Sequence, residues 1–124
     1  MITILSMLEK GYESSFEHLT FRQLQGAYRI KLICVPHNFV TMEDALLEAE
    51  GTKIFMVPRG RWPHSTEFKE WTPPAGDLVF VFGSPQENLV RYINDDFALH
   101  ITTKGYSDMM SVCVAAMVLY VHGQ

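Results

Sequence analysis

Apolar residues along this chain fall into short continuous runs separated by amphipathic stripes, and the two kinds of segment alternate. Ile2–Met7 opens with a β-branched run and predicts a strand, and the polar stretch Glu9–Ser15 predicts a loop. Phe16, Leu19, Leu24 and Tyr28 then recur at helical spacing, predicting a helix over Ser15–Ala27 with Gly26 near its end. Lys31–Val35, closed by Pro36, reads as a buried strand. Thr41-Met-Glu-Asp44 has the form of a helix cap, and the helix it starts continues through Ala49 to Gly51. Lys53–Val57, Leu78–Phe82 and Phe97–Ile101 are three further strand candidates. Between them lie one helical turn at Thr66–Trp71 and a helix at Gln86–Ile93, with Pro85 tolerated at its first turn. Met109–His122 closes the chain as a helix with almost no polar face. This alternation predicts an α/β fold: a three-layer sandwich with a mainly parallel sheet covered on both faces, formed by residues 1–124 as a single domain. A terminal helix that is apolar all round needs a second partner besides the sheet, and a subunit interface is the simplest.

Composition narrows this picture. In 124 residues, 48% are hydrophobic and 19% charged, so the chain is neither disordered nor long enough for two full cores. A net charge of −4 argues against non-specific coating of nucleic acid, while leaving room for a local basic patch. The two cysteines, Cys34 and Cys113, both sit in apolar runs and read as buried free thiols of a reducing compartment. The histidines show no ligand spacing and no Cys-x-x-Cys pair occurs, so no metal site is expected. Met1–Leu8 lacks a basic region and a cleavage site, and Met109–Val121 is too short to span a bilayer. The expected location is cytoplasmic, away from membranes.

Ligands of open α/β sheets bind beyond the carboxyl ends of the strands. Three such ends carry a glycine within four residues: Val57-Pro58-Arg59-Gly60, Phe82-Gly83-Ser84-Pro85 and Ile101-Thr102-Thr103-Lys104-Gly105. Neither a Walker loop nor a Gly-x-Gly-x-x-Gly fingerprint is present. The segments Lys53–Gly60, Pro63-His64-Ser65, Pro74–Asp77 and Leu78–Gly83, with the ending Ile101–Tyr120, resemble the SPOUT superfamily of methyltransferases. The closest branch is the small SpoU-type enzymes that methylate a ribose 2′-oxygen of tRNA or rRNA. The resemblance covers Lys53–Tyr120 and is topological over the first fifty residues.

That resemblance implies a C-terminal trefoil knot, a homodimer formed through the C-terminal helix, and S-adenosylmethionine held in the knot. The cofactor-binding positions it implies are Val57, Pro58, Phe82, Gly83, Ser84, Ile101, Thr102, Met109 and Met110. The family also carries an Arg on its first helix that helps activate the ribose hydroxyl. Here Thr20 falls at that position and Arg22 lies two residues away, making Arg22 the catalytic candidate. Pro85 stands where the family has Glu, Asn88 where it has Gly, and the usual Ser–Asn pair near Asp108–Ser111 is absent. The loop Arg59–His64 is the candidate RNA contact: Arg59 and Arg61 suit phosphates, while Trp62 and His64 suit an unpaired base. Lys104 and Arg91 would extend that patch and Asp95 and Asp96 would weaken it. The leading expectation is thus an RNA 2′-O-ribose methyltransferase. The alternatives are a catalytically degenerate relative that binds ligand or RNA, and an unrelated α/β protein whose last helix only builds a dimer.

Overall fold

A computed structural model describes residues 1–8, 16–83, 89–94, 96–105 and 109–123. Six strands form one sheet: β1 (Ile2–Met7), β2 (Lys31–Val35), β3 (Thr52–Met56), β4 (Thr66–Glu67), β5 (Leu78–Phe82) and β6 (Phe97–His100). Their order is β2-β1-β5-β3-β6-β4, and every pairing is parallel. Three helices accompany them, α1 (Phe16–Tyr28), α2 (Met42–Glu48) and α3 (Ser111–His122), with 3-10 turns at Phe68–Glu70 and Leu89–Tyr92.

The all-parallel sheet explains why β5 reads as an unbroken apolar run. Leu78-Val-Phe-Val-Phe82 is buried at every position, because a central parallel strand has helices or loops over both faces. Alternate residues divide between two cores. Ile4, Phe80 and Ile54, in register across β1, β5 and β3, face α1 and α3 and pack with Phe21, Ala115, Val118 and Leu119. Leu5, Val81 and Phe55 face the other way, toward Met42 and Ala45 of α2 and toward Leu89. α3 follows β6, yet it packs against α1, which joins β1 to β2. α3 therefore lies over the middle of this sheet face beside α1, running from Gly83 at the end of β5 to His122 against Phe80, Phe68 and Trp71.

Local chemistry sets the ends of the helices. Thr41 is extended, and its hydroxyl accepts a hydrogen bond from Asp44 N at 3.2 Å, so the Thr41–Asp44 cap forms as its sequence predicts. α1 passes through the exposed Gly26 and stops at Arg29, whose φ of 55° reverses the chain where a glycine is usual. Gly51 has φ 131°, and a Cβ there would lie 2.7 Å from the Asp77 carbonyl oxygen. Thr52 N donates to that same oxygen at 2.9 Å, so the close approach locks β3 to the start of β5.

Three expectations change. Thr66–Trp71 is not one helical turn: Thr66–Glu67 pairs with β6 as a sixth strand, because a free sheet edge lies beside it, and only Phe68–Glu70 is helical. The helix expected at Gln86–Ile93 is the 3-10 turn Leu89–Tyr92, with residues 86–88 outside the described segments. Cys113 is exposed, because Val112, Ala115, Val118 and Leu119 supply the buried face of α3 and Cys113 falls on the other side. The predicted loop Glu9–Ser15 also lies outside the described residues. No helix among the described residues is long and apolar enough to cross a membrane.

Candidate functional site

The strand order makes β5, β3 and β6 neighbours, so the three glycine-bearing loop ends leave the sheet side by side. β1 leads to α1 on one face, whereas β5, its neighbour, leads to the Leu89–Tyr92 turn on the other. Such a divergence opens a crevice at the carboxyl edge. Hydrogen bonds tie the loops together. Ser111 Oγ, in the first turn of α3, donates to the Gly83 carbonyl at 3.0 Å. Val57 N donates to Leu99 O at 2.9 Å, continuing the β3–β6 ladder past the end of β3. Thr102 N donates to Glu67 Oε1 at 2.8 Å, and Lys69 N donates to Glu67 Oε2 at 2.6 Å. Burial alone would raise the Glu67 pKa, but these N–H donors outweigh it and hold the carboxyl below its ordinary value. Beside it, Ser65 Oγ and His100 Nδ1 are 2.8 Å apart, joining the start of β4 to the end of β6.

The structure brings most of the expected cofactor positions to this edge and sorts them by what each can offer. The side chains of Val57 and Phe82 are buried in opposite cores, Phe82 with its ring 6.3 Å from that of Phe21. Their contribution to a ligand is confined to main chain. Gly83, Ile101 and Met109 are half-buried, while Pro58, Thr102 and Met110 are exposed. Ser84 lies outside the described residues. Arg22 follows the buried Phe21 and is exposed in the second turn of α1, about 9 Å along the axis from the start of the helix.

The Arg59–His64 loop is a compact series of turns. Arg61 N donates to Pro58 O at 3.0 Å, Ser65 N donates to Trp62 O at 3.1 Å, and Gly60 takes φ 79°. Arg59, Arg61 and His64 are exposed. Trp62 is half-buried against the α2-side core, with the His64 ring edge-on at 5.5 Å. The indole thus anchors the loop, and the two guanidinium groups and the His64 ring are its presented surface. Lys104 is exposed at the neighbouring β6 end. The Arg91 side chain lies 3.9 Å from Glu43 of α2 and 4.7 Å from the Tyr92 ring centroid. Asp96 is exposed, its carboxylate accepting from Asn94 N at 3.1 Å, and Asp95 lies outside the described residues.

Glu67, Ser65 and His100 carry no motif, and only the pairing of β4 with β6 brings them together across 35 residues. Among the described residues no group of three or more His, Cys, Asp or Glu side chains is arranged to hold a metal ion. Comparison with protein-family models, curated proteins and solved structures finds no match to this chain.

Proposed function

We propose that the chain is an S-adenosylmethionine-dependent RNA 2′-O-ribose methyltransferase of SPOUT type, working in the cytoplasm as a homodimer through α3. The observation that carries this reading is the side-by-side arrangement of the β5, β3 and β6 loops, pinned by the Ser111–Gly83 bond. Such an edge offers main-chain groups, a glycine and the apolar Ile101 and Met109, which suit an adenosine with a thioether tail. The course of α3, from Gly83 to a place beside α1 over the middle of the sheet, is the path that a tucked, knotted C-terminal helix would need.

When bound, the cofactor would supply an electrophilic methyl group. The chain's own share would be to hold it with the Gly83, Val57–Pro58 and Ile101–Thr102 main chain, and to keep water out with Met109 and Met110. Arg59, Arg61 and His64, beside the β3 end, would hold the RNA backbone and a base. Arg22 would favour the ribose alkoxide only if its side chain spans the distance from the second turn of α1. That placement favours the second reading, a non-catalytic relative that keeps ligand or RNA binding.

Calorimetric titration with S-adenosylhomocysteine separates these readings from a protein with no cofactor site. The expected result is saturable binding of about one ligand per chain, lost in Gly83→Val with an unchanged melting temperature. Absence of both heat and thermal stabilisation at millimolar ligand sinks the enzyme reading and leaves only an RNA-binding module. With binding established, methyl transfer to RNA that falls at least about tenfold in Arg22→Ala, at unchanged cofactor affinity, selects the enzyme. No transfer to any RNA selects the binding module.

A further inference from the structure

β6 lies between β3 and β4 in the sheet, so the loop that joins β3 to β4 has to cross the end of β6. Trp62 packs into the α2-side core, which puts the crossing on that face. Leu99 belongs to the α3-side core, so His100, the next residue and the last of β6, points to the α2 side and lies under the loop. Ser65, where the loop comes down onto the sheet, meets it: Ser65 Oγ and His100 Nδ1 are 2.8 Å apart, and both residues are half-buried. The Ser65–His100 pair therefore joins the root of the Arg59–His64 loop to the root of the Ile101–Gly105 loop. Met56 pairs with both Leu99 and Phe82, which puts the residues that follow, Val57, His100 and Gly83, at one level. Val57 and Gly83 thus stand about 5 and 10 Å from His100, one and two strand spacings away.

The ring is oriented by Ser65 and not by its register partner Glu67, whose two oxygens are taken by Thr102 N and Lys69 N. Among the described residues His100 Nε2 has no hydrogen-bond partner and is not enclosed. A neutral imidazole carries one proton, so a hydroxyl that accepts from Nδ1–H leaves Nε2 with its lone pair. The charged groups around the pair are Glu67 and Lys69 on the β4 side, Arg59, Arg61 and His64 on the crossing loop, and Lys104 beyond Thr102.

We propose that His100 is the general base of the methyl transfer, its Nε2 taking the proton of the ribose 2′-hydroxyl, and that Ser65 is the positioning residue that fixes its tautomer. The inference rests on the methyltransferase reading. In this step the ribose O–H bond breaks as its proton passes to Nε2. The freed oxygen pair forms the new bond to the methyl carbon, the C–S pair stays on sulfur, and the imidazolium returns its proton to solvent. Arg22, on a helix packed against the opposite face, is not needed for it.

The first readout needs no activity. In protein labelled with 15N in its histidines, the neutral His100 ring should be protonated at Nδ1 in wild type and in Ser65→Thr, which keeps the hydroxyl, and should lose that preference in Ser65→Ala. The second is methyl transfer to unmodified tRNA and ribosomal RNA transcripts, with S-adenosylhomocysteine affinity measured on each variant. His100→Gln should lower kcat at least about a hundredfold at unchanged cofactor affinity and remove the acid limb of the pH profile. Ser65→Ala should lower kcat several-fold and displace that limb, and Ser65→Thr should restore both. If His100→Gln does not fold, as judged by its melting curve, the two Ser65 variants carry the same test. A ring protonated at Nε2, a tautomer indifferent to Ser65→Ala, full kcat in His100→Gln, or an acid limb lost in His64→Gln instead overturns the base, while cofactor binding and transfer leave the methyltransferase reading standing. Cofactor binding with no transfer to the transcripts overturns the base and leaves a binding module. No cofactor binding overturns the methyltransferase reading and the base with it.

Discussion

Burial on β2 pushes the Cys34 thiol up to about 11, with the Glu17 carboxylate adding to the shift. At pH 8 it is therefore a protonated, enclosed thiol, and its reaction with an aromatic disulfide reagent should wait for unfolding. The check is labelling of the Cys113→Ser variant: no modification in native buffer and full modification in denaturant. Fast native labelling of that variant would show that β2 opens locally. Glu67 shows the opposite balance, a half-buried carboxylate held ionised by two main-chain N–H groups. Glu67→Gln should cost about 0.5–1 kcal/mol at pH 7, below the roughly 1.5–3 kcal/mol of bonds to a buried charged acceptor because solvent screens it. Since its folded pKa is depressed, this contribution is fully present above the ordinary 4.5 and is lost as pH falls through the lower folded value. Denaturation curves of wild type and variant should accordingly converge in acid. Neither residue announces its role in the sequence. Cys34 and Cys113 both stand among apolar neighbours, and only the side of the element on which each falls separates them.

At the scale of elements, α3 is secured at its end by an aromatic cluster. The His122 ring stacks on Phe80 at 6.4 Å and meets Phe68 and Trp71 edge-on at 5.3 and 5.6 Å. Burial lowers the His122 pKa from its ordinary 6.5, so the folded state favours the neutral ring. The unfolded chain takes up its proton first, and stability should fall as pH drops below about 6.5, until the folded group titrates as well. His122→Phe should flatten that slope between pH 6.5 and 5 in thermal melts; an unchanged slope would assign the sensitivity to another group. The strands were legible because parallel strands buried on both faces are apolar runs that need no period: β1, β2 and β5 have the predicted limits. The short elements were not. Thr66–Glu67 is a strand only because β6 offers an unpaired edge, and Leu89–Tyr92 tightens into a 3-10 turn, a length at which pattern alone cannot choose.

For the whole molecule, the outer side of α3 is the feature with the largest consequence. Met110 is 53%, Met117 42% and Val121 55% exposed, and with Cys113 they form a stripe at helical spacing. This is the surface the proposed homodimer would bury. Sedimentation should give a dimer at micromolar concentration, and Met117→Lys should shift it toward monomer by at least tenfold in dissociation constant, the effect of about 1.4 kcal/mol. Labelling of Cys113 should slow as protein concentration rises, and Met117→Lys should remove that protection. A wild-type chain that stays monomeric, with Cys113 labelled at one rate throughout, would mean that α3 leaves this face open.

The sequence by itself determined the alternation of strand and helix, the buried character of the sheet, the Thr41 cap and the glycines at three strand ends. Each of these depends on residues close together in the chain, where period, capping chemistry and backbone freedom act locally. Tertiary structure alone decided the order β2-β1-β5-β3-β6-β4, and with it everything that makes an edge of the sheet into a candidate site. The Ser111–Gly83 bond, the Glu67–Thr102 clasp and the Ser65–His100 pair join residues 28 or 35 positions apart. Such contacts form when strands far apart in sequence become neighbours, and a strand's own composition does not say which neighbour it will have.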